Sequence, residues 1–139
     1  MLLIGRIHPL LVHFPIALVL SAAGAEIAAI RTRRASWRAV AVVNLRAGAA
    51  MAVLTSIAGW VLATAPFVEA TPSLVAHRWT GVAAMAAIVG AALASRRSRV
   101  QSRRSLMVYR GALFMAAVLV AIAGHLGAAL VWGPDFFKP

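Results

Sequence analysis

A chain of 139 residues that is 63% hydrophobic and only 12% charged is too apolar for a soluble domain of its size. It has no cysteine, which excludes disulfides, thiolate metal sites, iron–sulfur clusters and covalently attached c-type haem. The formal charge of +11 raises nucleic-acid binding, but most of the basic residues lie in two short connections between apolar blocks, and that distribution argues against it.

Residues 7–25, 47–68, 79–95 and 111–134 carry no Asp, Glu, Lys or Arg. Spanning helices need about 18 such residues. Three blocks reach that length, and the third does so with His77 and Arg78 at its mouth. The spacing predicts one domain over 1–139, an all-α integral membrane bundle of four helices running up-down-up-down. Helix one is expected over about 9–30. Ala22-Ala23-Gly24-Ala25 resembles a signal-peptide cleavage site, but Arg6 is the only early charge, and His8, Pro9, His13 and Pro15 interrupt the apolar run. Pro9 suits a first helical turn, whereas Pro15 either belongs to a loosely wound opening turn or kinks the helix by freeing the Leu11 carbonyl. Helix two is expected over 37–65, ending before Pro66. Helix three, over 72–94, starts from Thr71-Pro72 as N-cap and first residue. Helix four, over 105–132, stops at Gly133-Pro134. No internal repeat is legible.

Arg31, Arg33, Arg34 and Arg38 lie between blocks one and two, and Arg96, Arg97, Arg99, Arg103 and Arg104 between blocks three and four. The remaining connection, 66–76, holds only Glu69. This asymmetry predicts a multi-pass membrane protein. Loops 31–38 and 96–104 are expected to be cytoplasmic, and both termini to face outward. The lipid bilayer is the first partner, and nucleic acid is not one. Small residues four apart, such as Gly24/Ala28 and Gly48/Ala52, let helices pack closely. Glu26, Arg46 and Arg110 lie deep near the arginine-rich side, so a Glu26–Arg46 or Glu26–Arg110 bridge is expected. Trp37, Trp60, Trp79, Tyr109 and Trp132 suit interface positions.

The four histidines are His8, His13, His77 and His125. Counted from the outer helix ends, His13 lies about 6 Å deep, His77 about 7 Å and His125 about 10 Å. Three imidazoles are therefore expected in one outer layer, with Gly59 at the same depth on helix two and His8 above it at the mouth. Imidazole ligates haem iron, zinc and copper. His13 and His77 are the expected axial pair of a haem b. His125 is a third ligand or a propionate partner, and Arg78 a propionate partner or a snorkelling cation. Gly81, Gly124 and Gly127 would let a macrocycle approach the backbone. His8 and His13 point about 140° apart and cannot serve one iron from the same side. A bare Cu or Zn ion held by His13, His77 and His125 is the alternative cofactor. There is no nucleophile–base pair and no phosphate loop. An electron-transfer protein or complex subunit therefore fits better than a stand-alone enzyme.

Three stretches carry a resemblance. They are His8-Pro9-Leu10-Leu11-Val12-His13-Phe14-Pro15-Ile16-Ala17-Leu18, then His77-Arg78-Trp79-Thr80-Gly81, then Gly124-His125-Leu126-Gly127-Ala128-Ala129-Leu130-Val131-Trp132-Gly133-Pro134-Asp135-Phe136. The chain resembles, over nearly its whole length, the bacterial membrane family called domain of unknown function 2231. In the closing motif a second glycine commonly stands where this chain has Ala128. The resemblance implies four helices in a bacterial inner membrane, so that the outward-facing termini are periplasmic, and redox work, because some members are joined to cytochrome c or rubredoxin-like domains. Electron transfer between a quinone or membrane partner and a periplasmic cytochrome is the expected function. An accessory subunit of a respiratory or photosynthetic complex, without haem, is the alternative.

Overall fold

The computed structural model describes residues 2–97, 102–133 and 135. Residues 98–101 of the second arginine-rich connection, and Pro134 and Phe136 of the closing motif, lie outside them. Six helices follow in order: α1 (Leu2–Arg6), α2 (His8–Leu11), α3 (His13–Thr32), α4 (Ala35–Ala63), α5 (Pro72–Arg97) and α6 (Arg103–Trp132). No strand occurs among the described residues. Four stretches, His8–Thr32, Ala35–Ala63, Pro72–Arg96 and Arg103–Trp132, are long and apolar enough to cross a membrane. Thr71 caps α5 by accepting the Leu74 N–H at 3.2 Å, as its sequence position predicts. The last helix starts at Arg103 rather than 105, and Ser102 caps it, with its hydroxyl accepting the Ser105 N–H at 3.2 Å.

The interior is built mainly from small residues: Ala22, Ala41, Ala52, Ala91 and Ala116 are buried, with Val19, Leu45, Ile88 and Leu113 between them. The larger apolar side chains face outward; Val43 and Met107 are each 64% exposed. In water such a surface would aggregate. In lipid the arrangement is favourable, since small residues bring helices close and large ones meet acyl chains at no cost.

Contacts fix the direction of each helix. Gly5 faces Leu62, His8 faces Gly59 and Val19 faces Gly48, so positions rise along the α1–α3 strip as they fall along α4. Trp60 meets Trp79 while Arg46 meets Ser95, giving the same opposed sense to α4 and α5. Ile16 meets Gly124 while Glu26 meets Arg110, which does so for α3 and α6.

The start of the chain differs from expectation. Helical residues begin at Leu2 rather than Pro9, with breaks at Ile7 and Val12. Pro15 has no N–H to give the Leu11 carbonyl. That carbonyl instead accepts the Thr55 hydroxyl of α4 at 3.2 Å. A backbone acceptor freed inside a membrane has to be satisfied by a neighbouring helix, and Thr55 does so.

A repeat is also present that the letters of the sequence hide. In α3 and α5 the buried positions Pro15, Val19, Ala22 and Glu26 match Ala84, Ile88, Ala91 and Ser95 at one constant spacing. In α4 and α6, Ala41, Leu45, Gly48, Ala52 and Thr55 match Tyr109, Leu113, Ala116, Val120 and Ala123 at another. The α3–α4 hairpin and the α5–α6 hairpin are therefore two copies of one packing scheme. Of these nine pairs only Ala22/Ala91 and Leu45/Leu113 keep their residue. The repeat is conserved as burial, not as identity, and residue-by-residue comparison misses it.

Candidate functional site

The matching scheme brings two histidines together where the hairpins meet. His8 and His77 occupy corresponding places, and their ring centroids stand 6.3 Å apart with planes at 74°. Each ring is half-buried. His8 Nδ1 lies 3.0 Å from the Thr55 carbonyl, and His77 Nδ1 lies 3.1 Å from the Ala123 carbonyl. A carbonyl can only accept, so both Nδ1 atoms carry the proton. Both Nε2 atoms are then left with a lone pair. This is the arrangement that orients metal-ligating histidines, where a hydrogen bond at one nitrogen fixes the other as the donor.

Each of these carbonyls belongs to a helix and is reachable for one reason. In a helix the side chain of residue i+4 covers the carbonyl of residue i. Four residues beyond Thr55 is Gly59, and four beyond Ala123 is Gly127. A Cβ at Gly59 would stand 2.8 Å from His8 Cε1, and one at Gly127 would stand 3.0 Å from His77 Cε1. The glycines are thus seats for imidazole rings. This corrects their expected role as faces for a macrocycle, since the space beside them is filled by histidine. Gly124 is likewise occupied, with its absent Cβ 3.1 Å from Ile16 Cδ1, whereas Gly81 has nothing within 4 Å.

The expected meeting of His13, His77 and His125 does not occur. His13 is exposed on α3 and His125 is exposed on α6, so neither ring enters the interior beside His77. Among the described residues no three His, Cys, Asp or Glu side chains gather as a metal site. His8 was placed at the mouth by starting helix one at Pro9. The short helix α1 precedes it along α4, and α2 begins at His8 itself, whose ring packs against Gly59. The signal that would have found it was available: His8 and Gly59 recur at nearly equal spacing as His77 and Gly127.

Arg78 follows His77, and its Cζ lies 3.9 Å from the centroid of the Trp60 ring, a cation–π contact. Trp60 in turn meets Trp79 edge-on, with centroids 6.1 Å apart. The Arg78 Nε is buried without a hydrogen-bond partner.

At the opposite end Glu26 is fully buried. Its carboxylate accepts Arg110 Nε at 2.8 Å, Arg38 Nη2 at 3.3 Å and the Tyr109 hydroxyl at 3.4 Å. Of the two expected bridges, the one to Arg110 forms. Arg46 is instead directed to Ser95, which matches Glu26 in the other hairpin, at 3.3 Å. Each hairpin thus sends an arginine from its second helix to the first helix of the other.

The family model described as "Predicted membrane protein (DUF2231)" matches residues 6–135. The chain belongs to this family. Comparison with curated proteins and with solved structures finds no match. Both members of the His8–His77 pair, and both glycine seats, lie within the matched region. Membership establishes a membrane protein with apolar helices that contacts the lipid bilayer.

Proposed function

We propose that the chain is a membrane electron-transfer protein of the b-type cytochrome kind, in which His8 and His77 would hold one haem. The observation that carries this reading is the pair of Nδ1 hydrogen bonds, which holds both Nε2 lone pairs available. Two imidazoles that share one metal ion would have ring centroids about 6 Å apart. The observed separation is 6.3 Å. On the macrocycle side the fit is narrower than four glycines promised. Gly81, one turn beyond His77, is the open position where a flat ring could approach the backbone.

When bound, the haem would supply a one-electron couple. The chain's own residues have two tasks: Thr55 and Ala123 lock the tautomers, and Arg78 supplies a cation for a propionate. The asymmetry of arginines supports an orientation in the bacterial inner membrane with the arginine-rich connections cytoplasmic and the histidine end periplasmic. Electrons would pass between a quinone or membrane partner and a periplasmic carrier.

A second reading is one copper ion on the same two nitrogens. It is favoured by the filled glycines, because it needs no slot for a macrocycle. Zinc fits less well, since its sites use at least three protein ligands. An absorption spectrum with metal analysis of the purified chain tests both. A Soret band with reduced α and β bands and one iron per chain supports haem. Copper without those bands supports the second reading. A colourless, metal-free protein found only within a larger complex contradicts both and favours an accessory subunit.

A further inference from the structure

At the end opposite the histidines, Arg33 and Arg34 alone connect α3 to α4. Arg33 closes the turn in the left-handed region, at φ 55° and ψ 18°. Glycine adopts that conformation freely, and a residue with a Cβ is strained by it. Arg33 is the one non-glycine residue with positive φ among those described. A guanidinium is therefore kept at a position that favours glycine.

Its surroundings give a reason. Arg33, Arg34, Arg38 and Arg110 line a single open cleft of about 320 Å³, with Ala29 and Ile30 on its apolar wall. Among the described residues Glu26 is the only carboxylate paired with any of them, and it serves Arg38 and Arg110. Arg33 and Arg34 have no carboxylate partner among the described residues. The Arg38 Nε is buried with no hydrogen-bond acceptor. Four guanidiniums that share one carboxylate leave the cleft with surplus positive charge, which favours an anion.

We propose that this cleft binds one phosphate group, either the diester of an anionic phospholipid headgroup or free phosphate. Guanidinium forks match phosphate oxygens in geometry and charge. The cleft stands at the arginine-rich ends of α3, α4 and α6, where basic pockets between membrane helices meet headgroups.

The test uses the delipidated full chain with phosphatidylglycerol, phosphatidylcholine or inorganic phosphate, read by native mass spectrometry and thermal midpoint. R33G/R34Q removes two guanidiniums while giving the left-handed turn its preferred residue, so it should fold with an undiminished midpoint in phosphatidylcholine. R103Q/R104Q removes the same charge from the other arginine-rich connection. The expected result is one phosphatidylglycerol per wild-type chain, bound about thirtyfold more weakly by R33G/R34Q, or roughly fivefold per arginine. R103Q/R104Q should bind as wild type does. If inorganic phosphate raises the wild-type midpoint and not that of R33G/R34Q, the site stands and free phosphate is its source. Equal binding by all three proteins, equal loss in both variants, or binding of neither ligand overturns the proposal.

Discussion

Pro15 in the first hairpin and Ala84 in the second occupy matching buried positions, yet their neighbourhoods differ in a connected way. Pro15 leaves the Leu11 carbonyl without its helical donor, and the Thr55 hydroxyl supplies one at 3.2 Å. Ala84 keeps its N–H, and the position matching Thr55 is Ala123, which has no hydroxyl to offer. Glu26 and Ser95 diverge similarly. Both receive an arginine from the opposite hairpin, but only Glu26 bears charge. The features that stay alike are the histidines and the glycines under them. Packing positions have drifted in chemistry wherever a partner drifted with them, while the imidazole seats have kept theirs.

The largest expected difference between the hairpins is at their charged ends. Glu26→Ala strips the carboxylate from Arg38 and Arg110 and should cost about 3 kcal/mol. The loss falls at the lower end of the usual range because those arginines are 36% and 27% exposed. Ser95→Ala should cost about 1 kcal/mol. Thermal unfolding in detergent measures both, and equal losses would contradict the asymmetry.

Next in size are the imidazole seats. Gly59→Ala and Gly127→Ala each push a Cβ against a ring held by a hydrogen bond, and each should destabilise by about 1–3 kcal/mol. Here the hairpins should behave alike, with Gly59→Ala the worse because its contact is the shorter. A neutral outcome at either site would mean that the ring is not seated there.

The smallest effect is the most specific. Thr55→Val should cost about 0.6 kcal/mol, the usual value for an interhelical hydrogen bond in a membrane protein. In a Pro15→Ala background the Leu11 carbonyl regains a helical donor, and the same change should cost less. A double-mutant cycle reads this coupling. Additive losses would show that Thr55 does not serve the proline's orphaned carbonyl.

The four apolar blocks, the Thr71 cap and the Glu26–Arg110 bridge were legible in the sequence because each depends on local pattern or on a charge with nowhere else to go. Pro15 even announced a free carbonyl, though not the Thr55 hydroxyl that takes it. The histidine pair was harder. Depth counting assumes that a helix starts where its first proline suits it, and α1 and α2 extend the strip past Pro9. It also assigns height without facing, so His13 and His125 at the expected height were not distinguished from rings turned outward. Glycines were read as open space, whereas Gly59 and Gly127 are occupied by the very side chains under discussion. Only matching the two hairpins would have joined His8 to His77.

The account rests on those two rings acting as one ligand set, and four single variants test it directly. Haem or copper content per chain would be measured for His8→Ala, His13→Ala, His77→Ala and His125→Ala, with helical content as the check on folding. The account predicts that His8→Ala and His77→Ala lose the bound metal while His13→Ala and His125→Ala keep it. Loss in His13→Ala with retention in His8→Ala would contradict it.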